Sequence, residues 1–156
     1  MVSFEKIKSD GNLREIIKAA FDADFPVDGG WGYDKASATI IEHSDLPMTQ
    51  VEHTIASMRT HLEMNMTLDE DLRYGGINLN EVKREAVQDS AHKYHKVTYE
   101  ITAIKEKEYN AFVDEYKEGY GKSGFDLSEY FARRKAATLH RKEIYWFELE
   151  GDAANA

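Results

Sequence analysis

Cysteine is absent from this chain of 156 residues. Its absence excludes disulfides, thiolate nucleophiles, cysteine zinc sites and cysteine-held iron–sulfur clusters. Only two prolines occur, Pro26 and Pro47, so few positions have a locked φ. No hydrophobic run reaches the length of a membrane span. The N-terminal stretch MVSFEKIKSDG lacks the apolar run of a secretory signal. A cytoplasmic location is therefore expected. Positive charge is scarce as well: 20 Lys and Arg stand against 29 Asp and Glu, a formal charge of −9. Nucleic acids and anionic membranes recruit proteins through positive charge, so neither is an expected partner. The densest basic run, Arg133-Arg134-Lys135, reads as the cationic end of a helix, where it complements the dipole.

What is present is a globular balance, with 42% apolar and 31% charged residues. A chain of this length buries roughly two-thirds of its unfolded surface and needs no covalent staple. One α+β domain is expected over residues 1–150, followed by a frayed tail at 151–156, GDAANA.

The apolar pattern predicts the elements. Leu13, Ile16, Ile17, Ala20 and Phe21 recur at helical spacing, with Asn12 or Asp10 as the cap and Pro26 as the stop. Residues 36–43, ASATIIEH, read as a short strand. A second helix of about five turns follows Asp45. Its stripe is Val51, Ile55, Met58, Leu62 and Met66, and Pro47 falls in its first turn. Residues 81–88 and 94–104 form a hairpin joined by DSAHK. In its second arm Val97, Tyr99, Ile101 and Ala103 share one face. A third helix presents Tyr109, Phe112, Val113 and Tyr116 and stops at GYGKSG. A fourth starts at the cap Asp126 and runs to Ala137. Residues 143–150, EIYWFELE, close the chain as a strand.

Without the first helix the order is β-α-β-β-(αα)-β. That is the split βαβ, ferredoxin-like pattern: a four-stranded antiparallel sheet with helices on one face.

Chemical motifs are few. Residues 119–124, GYGKSG, satisfy GxGxxG, but they follow a helix, whereas a dinucleotide loop leaves a strand and opens a helix. The Gly-Lys-Ser within it has Tyr116 where a phosphate loop needs glycine. His53 and His61 stand eight apart, not at the four-residue step of zinc proteases. No serine sits in GxSxG, and Asp69-Glu70-Asp71 lacks calcium-loop spacing. No cofactor or metal is expected.

Glycines cluster with aromatics in three places: DGGWGY at 28–33, Tyr74-Gly75-Gly76, and Gly119 to Phe125. Glycine allows close backbone approach, and Trp and Tyr supply area with one polar handle. Such loops either wall a pocket for a flat ligand or plug the core, and plugging is the commoner use. In the expected fold the first two clusters lie toward the same end of the sheet. They would gather Trp31, Tyr33, Arg73 and Tyr74 as ligand-binding residues, with His43 or Asp28 to move protons.

The sheet's open face is the other candidate. If Tyr145, Phe147 and Leu149 face the helices, then Ile144, Trp146 and Glu148 face outward with Thr98, Glu100 and Thr102. An amphipathic face of this kind suits self-association. The leading expectation is a binding or homo-oligomeric domain. The second is an enzyme or binding protein for a small polar or aromatic ligand held around Trp31 and Tyr74.

Overall fold

The computed structural model describes residues 4–7, 12–42 and 45–150. His43, the alternative cap Asp10 and the tail 151–156 lie outside the described residues. In chain order the elements are α1 (Leu13–Phe21), β1 (Val27–Gly29), β2 (Thr39–Ile41), α2 (Met48–His61), β3 (Tyr74–Asp89), β4 (His92–Lys105), α3 (Glu106–Gly119), α4 (Leu127–Ala137) and β5 (Leu139–Leu149). A π-helical turn, Leu62–Met66, prolongs α2, and a 3-10 turn, Glu70–Leu72, precedes β3. No helix among the described residues is long and apolar enough to cross a membrane.

The fold is α+β, but its sheet is not the four-stranded antiparallel one that the element order suggests. Five strands run in the order β1-β2-β5-β4-β3, and β2 pairs with β5 in parallel. Two physical reasons account for the difference. First, β1 lies inside the glycine-aromatic loop. It has three residues, Val27, Asp28 and Gly29, too few for any periodicity to register, and it pairs with Ile41, Ile40 and Thr39. Second, the α3–α4 pair is not a crossover. A single helix would carry the chain to the far end of the sheet. Two helices carry it out and back, so β5 returns antiparallel beside β4, with Ala103 opposite Leu139. The last strand is therefore central, flanked by β2 and β4.

Local chemistry sets the boundaries. Asn12 caps α1 by accepting the Arg14 N–H at 2.9 Å, and Asp126 caps α4 by accepting that of Glu129 at 3.1 Å. Pro47 stands just before α2, in extended backbone, rather than in its first turn. The hairpin turn is tighter than DSAHK: β3 and β4 are joined by Ser90 and Ala91 alone, with Ser90 at φ 56°.

The core lies on one face of the sheet. Leu13 and Ile17 of α1 and Val51, Ile55 and Met58 of α2 pack on Val97, Tyr99, Ile101, Ala103, Tyr145 and Phe147. Each fully buried side chain of this size contributes about 1.5–3 kcal/mol relative to exposure. No residue of α3 or α4 belongs to this cluster. Those helices pack through a separate aromatic group in which the buried Tyr130 meets Phe112, Tyr116 and Phe125.

The other face carries the opposite parity, including Thr98 opposite Ile144 and Lys96 opposite Trp146. Trp146 is half-buried beside Tyr94, and the amines of Lys96 and Lys35 lie 5.3 Å and 5.8 Å from its ring centroid.

Candidate functional site

Three of the sequence-selected residues, Trp31, Tyr33 and Tyr74, converge, but on a helical segment rather than around a cavity. Trp31 and Tyr74 are 2% and 4% exposed, so neither ring offers a free face. Gly32 explains how the first loop reaches the core. At φ +82° its oxygen accepts the Trp146 N–H at 2.8 Å, so the loop runs against β5 just beyond the β2 pairing. A Cβ at Gly32 would lie 2.6 Å from the Trp146 carbonyl oxygen.

Tyr33 follows and reaches the π-helical turn. Its hydroxyl donates to Glu63 at 2.5 Å and accepts the Ile7 N–H at 2.9 Å. Burial, reinforced by the Glu63 carboxylate, pushes the phenol's pKa well up. Glu63 is itself buried and also receives Arg59 Nε at 3.3 Å, while Arg141 of β5 lies 3.2 Å away. The Arg59 guanidinium sits 3.8 Å from the ring centroids of both Tyr33 and Tyr145 and donates to the Trp31 carbonyl oxygen. Burial pushes the Tyr145 hydroxyl up to about 12.

Tyr74 meets the same turn from the other side, donating its N–H to Asn65 Oδ1 at 3.2 Å. Phe4 joins the two halves: its ring lies edge-on to Tyr74 and beneath Arg141. Both loops therefore grip the segment 59–65. The remaining candidates stand apart. Arg73 donates to the Leu68 carbonyl oxygen, and exposed Asp28 accepts the neighbouring Gly29 N–H.

A second polar cluster fixes the opposite end of α2. The wholly buried Glu52 accepts from Arg84 Nη1 at 2.9 Å and lies 2.7 Å from His95 Nδ1. Arg84 also bonds both oxygens of Glu81, and that contact holds the Glu81 carboxyl below its ordinary range.

Between these clamps, on the outer side of α2, lies an open groove of about 560 Å³. Its walls are Phe21, Met58 and Met66. Its polar groups are His53, Thr54, Ser57, His61 and Asn65. The His61 ring keeps an exposed edge, yet burial of the rest draws its pKa below the ordinary imidazole value. Among the described residues no three His, Cys, Asp or Glu side chains come together to hold a metal.

No protein-family model matches this chain. No curated protein and no solved structure matches it significantly.

The groove's chemistry was only partly legible beforehand. His53 and His61 stood out as histidines, but their joint placement needs Ser57 and Asn65, which complete a row at four-residue steps. Neither has a distinctive sequence signature. The π-helical turn that carries Asn65 leaves none either, and such turns often mark functional positions.

Proposed function

We propose that this protein is a binding domain for a small, mostly apolar molecule held in the groove along α2. The groove itself carries the reading: its volume falls in the range of small-ligand sites, with an apolar wall and a few convergent polar groups. The two methionines suit a site that adapts to its ligand. Trp31, Tyr33 and Tyr74 contribute from behind, by holding the helical segment that forms the groove's floor. Ser57 and His61, although four residues apart, make no hydrogen bond to each other. The groove thus offers contacts rather than an activated nucleophile.

The test is fluorescence titration with a neutral apolar dye, N-phenyl-1-naphthylamine. Ser57→Trp, placed to fill the groove, is expected to weaken dye binding by about tenfold or more while the fold persists by circular dichroism. Unchanged binding in a folded variant rejects the groove.

A second reading, self-association, is favoured by α4 rather than by the open sheet face. Leu127 and Phe131, four residues apart on one face of α4, are 40% and 50% exposed. Acidic Glu129 lies in the first turn, and Arg134 and Lys135 in the last. An antiparallel pairing with a second copy sets acid against base. Light scattering coupled to gel filtration, with Phe131→Glu as the variant, decides it. A dimer that Phe131→Glu converts to monomer supports the pairing, and a wild-type monomer at high concentration rejects it.

A further inference from the structure

His53, Ser57, His61 and Asn65 follow one another at four-residue steps along α2 and its π-helical extension, and all four line the groove. Such steps place side chains on one face, roughly 6 Å apart along the axis. Both ends of the row are tied to β3. His53 Nε2 lies 3.3 Å from the Leu79 carbonyl oxygen, which can only accept, so Nε2 carries the proton. Asn65 Oδ1 accepts the Tyr74 N–H, which fixes the amide's orientation and points its donating Nδ2 elsewhere. The Thr54 hydroxyl is turned back onto the Gln50 carbonyl oxygen at 2.8 Å.

Three groups are left for a ligand. Ser57 Oγ, the His61 ring and Asn65 Nδ2 have no hydrogen-bond partner among the described residues. Each of the three can donate, and Nδ2 can only donate. Among the described residues none that lines the groove is Asp or Glu, although the chain carries a charge of −9. A cation would find no counter-charge here. A head group made only of donors would leave Nδ2 facing a donor, a loss comparable to that of an unmade hydrogen bond.

We infer that the groove takes a small amphipathic acid, its apolar body against Phe21, Met58 and Met66 and its carboxylate on the donor row Ser57, His61 and Asn65. This rests on the groove being the binding site. An acidic head satisfies all three donors at once.

Decanoate and decan-1-ol separate the two levels of the argument, because they share a chain and differ at the head. Isothermal titration calorimetry of the full chain at neutral pH is expected to show decanoate binding at least about tenfold more tightly. Asn65→Asp keeps an oxygen for the Tyr74 N–H and replaces the donating Nδ2 with a second oxygen. It is expected to erase the preference. Equal affinities, or a tighter alcohol, overturn the acidic head and leave the groove standing. Binding of neither overturns both. A preference for decanoate that survives in both Asn65→Asp and His61→Gln places the head elsewhere and overturns the donor row.

Discussion

The guanidinium of Arg59 lies 3.8 Å from the ring centroid of Tyr33, deep enough that the arginine is only 1% exposed. This contact joins the last turn of α2 to the loop whose sequence marks it as a candidate ligand wall. The Tyr145 ring centroid lies at the same distance, and Glu63 closes the ion pair.

Breaking this arrangement leaves Glu63 with less compensation in a dry environment. Arg59→Ala is expected to lower stability by about 3–5 kcal/mol in urea unfolding. Arg59→Lys recovers little, because an ammonium has no plane to stack against the two rings. Full recovery by lysine would show that charge alone matters at this position.

Gly32 and Gly121 provide a controlled comparison. Their φ values are +82° and +81°, but a Cβ at Gly32 meets the Trp146 oxygen at 2.6 Å, whereas at Gly121 nothing lies within 4 Å. Both alanine variants carry the left-handed penalty of about 1 kcal/mol. Gly32→Ala is expected to lose at least about 1–2 kcal/mol more, through overpacking against backbone. Thermal unfolding of the two variants side by side measures the difference, and equal losses would deny the close approach of the loop to β5.

His61 gives stability a pH dependence of defined sign. Its folded pKa lies below the ordinary value of about 6.5, so between the two values the unfolded chain binds more protons. Stability from this group is complete above about pH 6.5 and is lost as pH falls through the lowered folded value. His61→Gln lacks that step. Urea midpoints at about pH 7.5 and about pH 5.5 should therefore differ less in the variant than in the parent. An equal or larger difference in the variant would reject the desolvated imidazole.

The α3–α4 pair contributes no side chain to the main core. Replacing it with a short Asn-Gly turn between β4 and β5 is expected to leave a cooperatively folding sheet. The melting temperature should fall, since Tyr109 of α3 covers Gly75 and Gly76 of β3. Loss of cooperative unfolding would make the helical pair integral to the fold.

The stripe from Val51 to Leu62, though not its last expected member, the exposed Met66, the caps Asn12 and Asp126, and the alternation Val97, Tyr99, Ile101, Ala103 were readable because each is a local pattern. Side-chain period and capping chemistry act within a few residues. Of the group Trp31, Tyr33, Arg73, Tyr74 and His43 that the sequence brings forward, the structure brings Trp31, Tyr33 and Tyr74 to one helical segment and leaves Arg73 apart. Burial of their rings was not readable, since the same residues serve equally as wall or as plug.

Tertiary structure alone decided the strand order, the parallel β2–β5 pairing and the groove. The central place of β5 depends on whether two helices return the chain to its starting end, a question of path rather than composition. The row Ser57, His61, Asn65 acquires its donor character only after Tyr74 occupies the amide oxygen of Asn65. A hydrogen bond between residues nine apart, in two different elements, uses up one half of an amide and leaves the other half for a ligand. That choice is made by packing, because both halves are present in the sequence with equal standing.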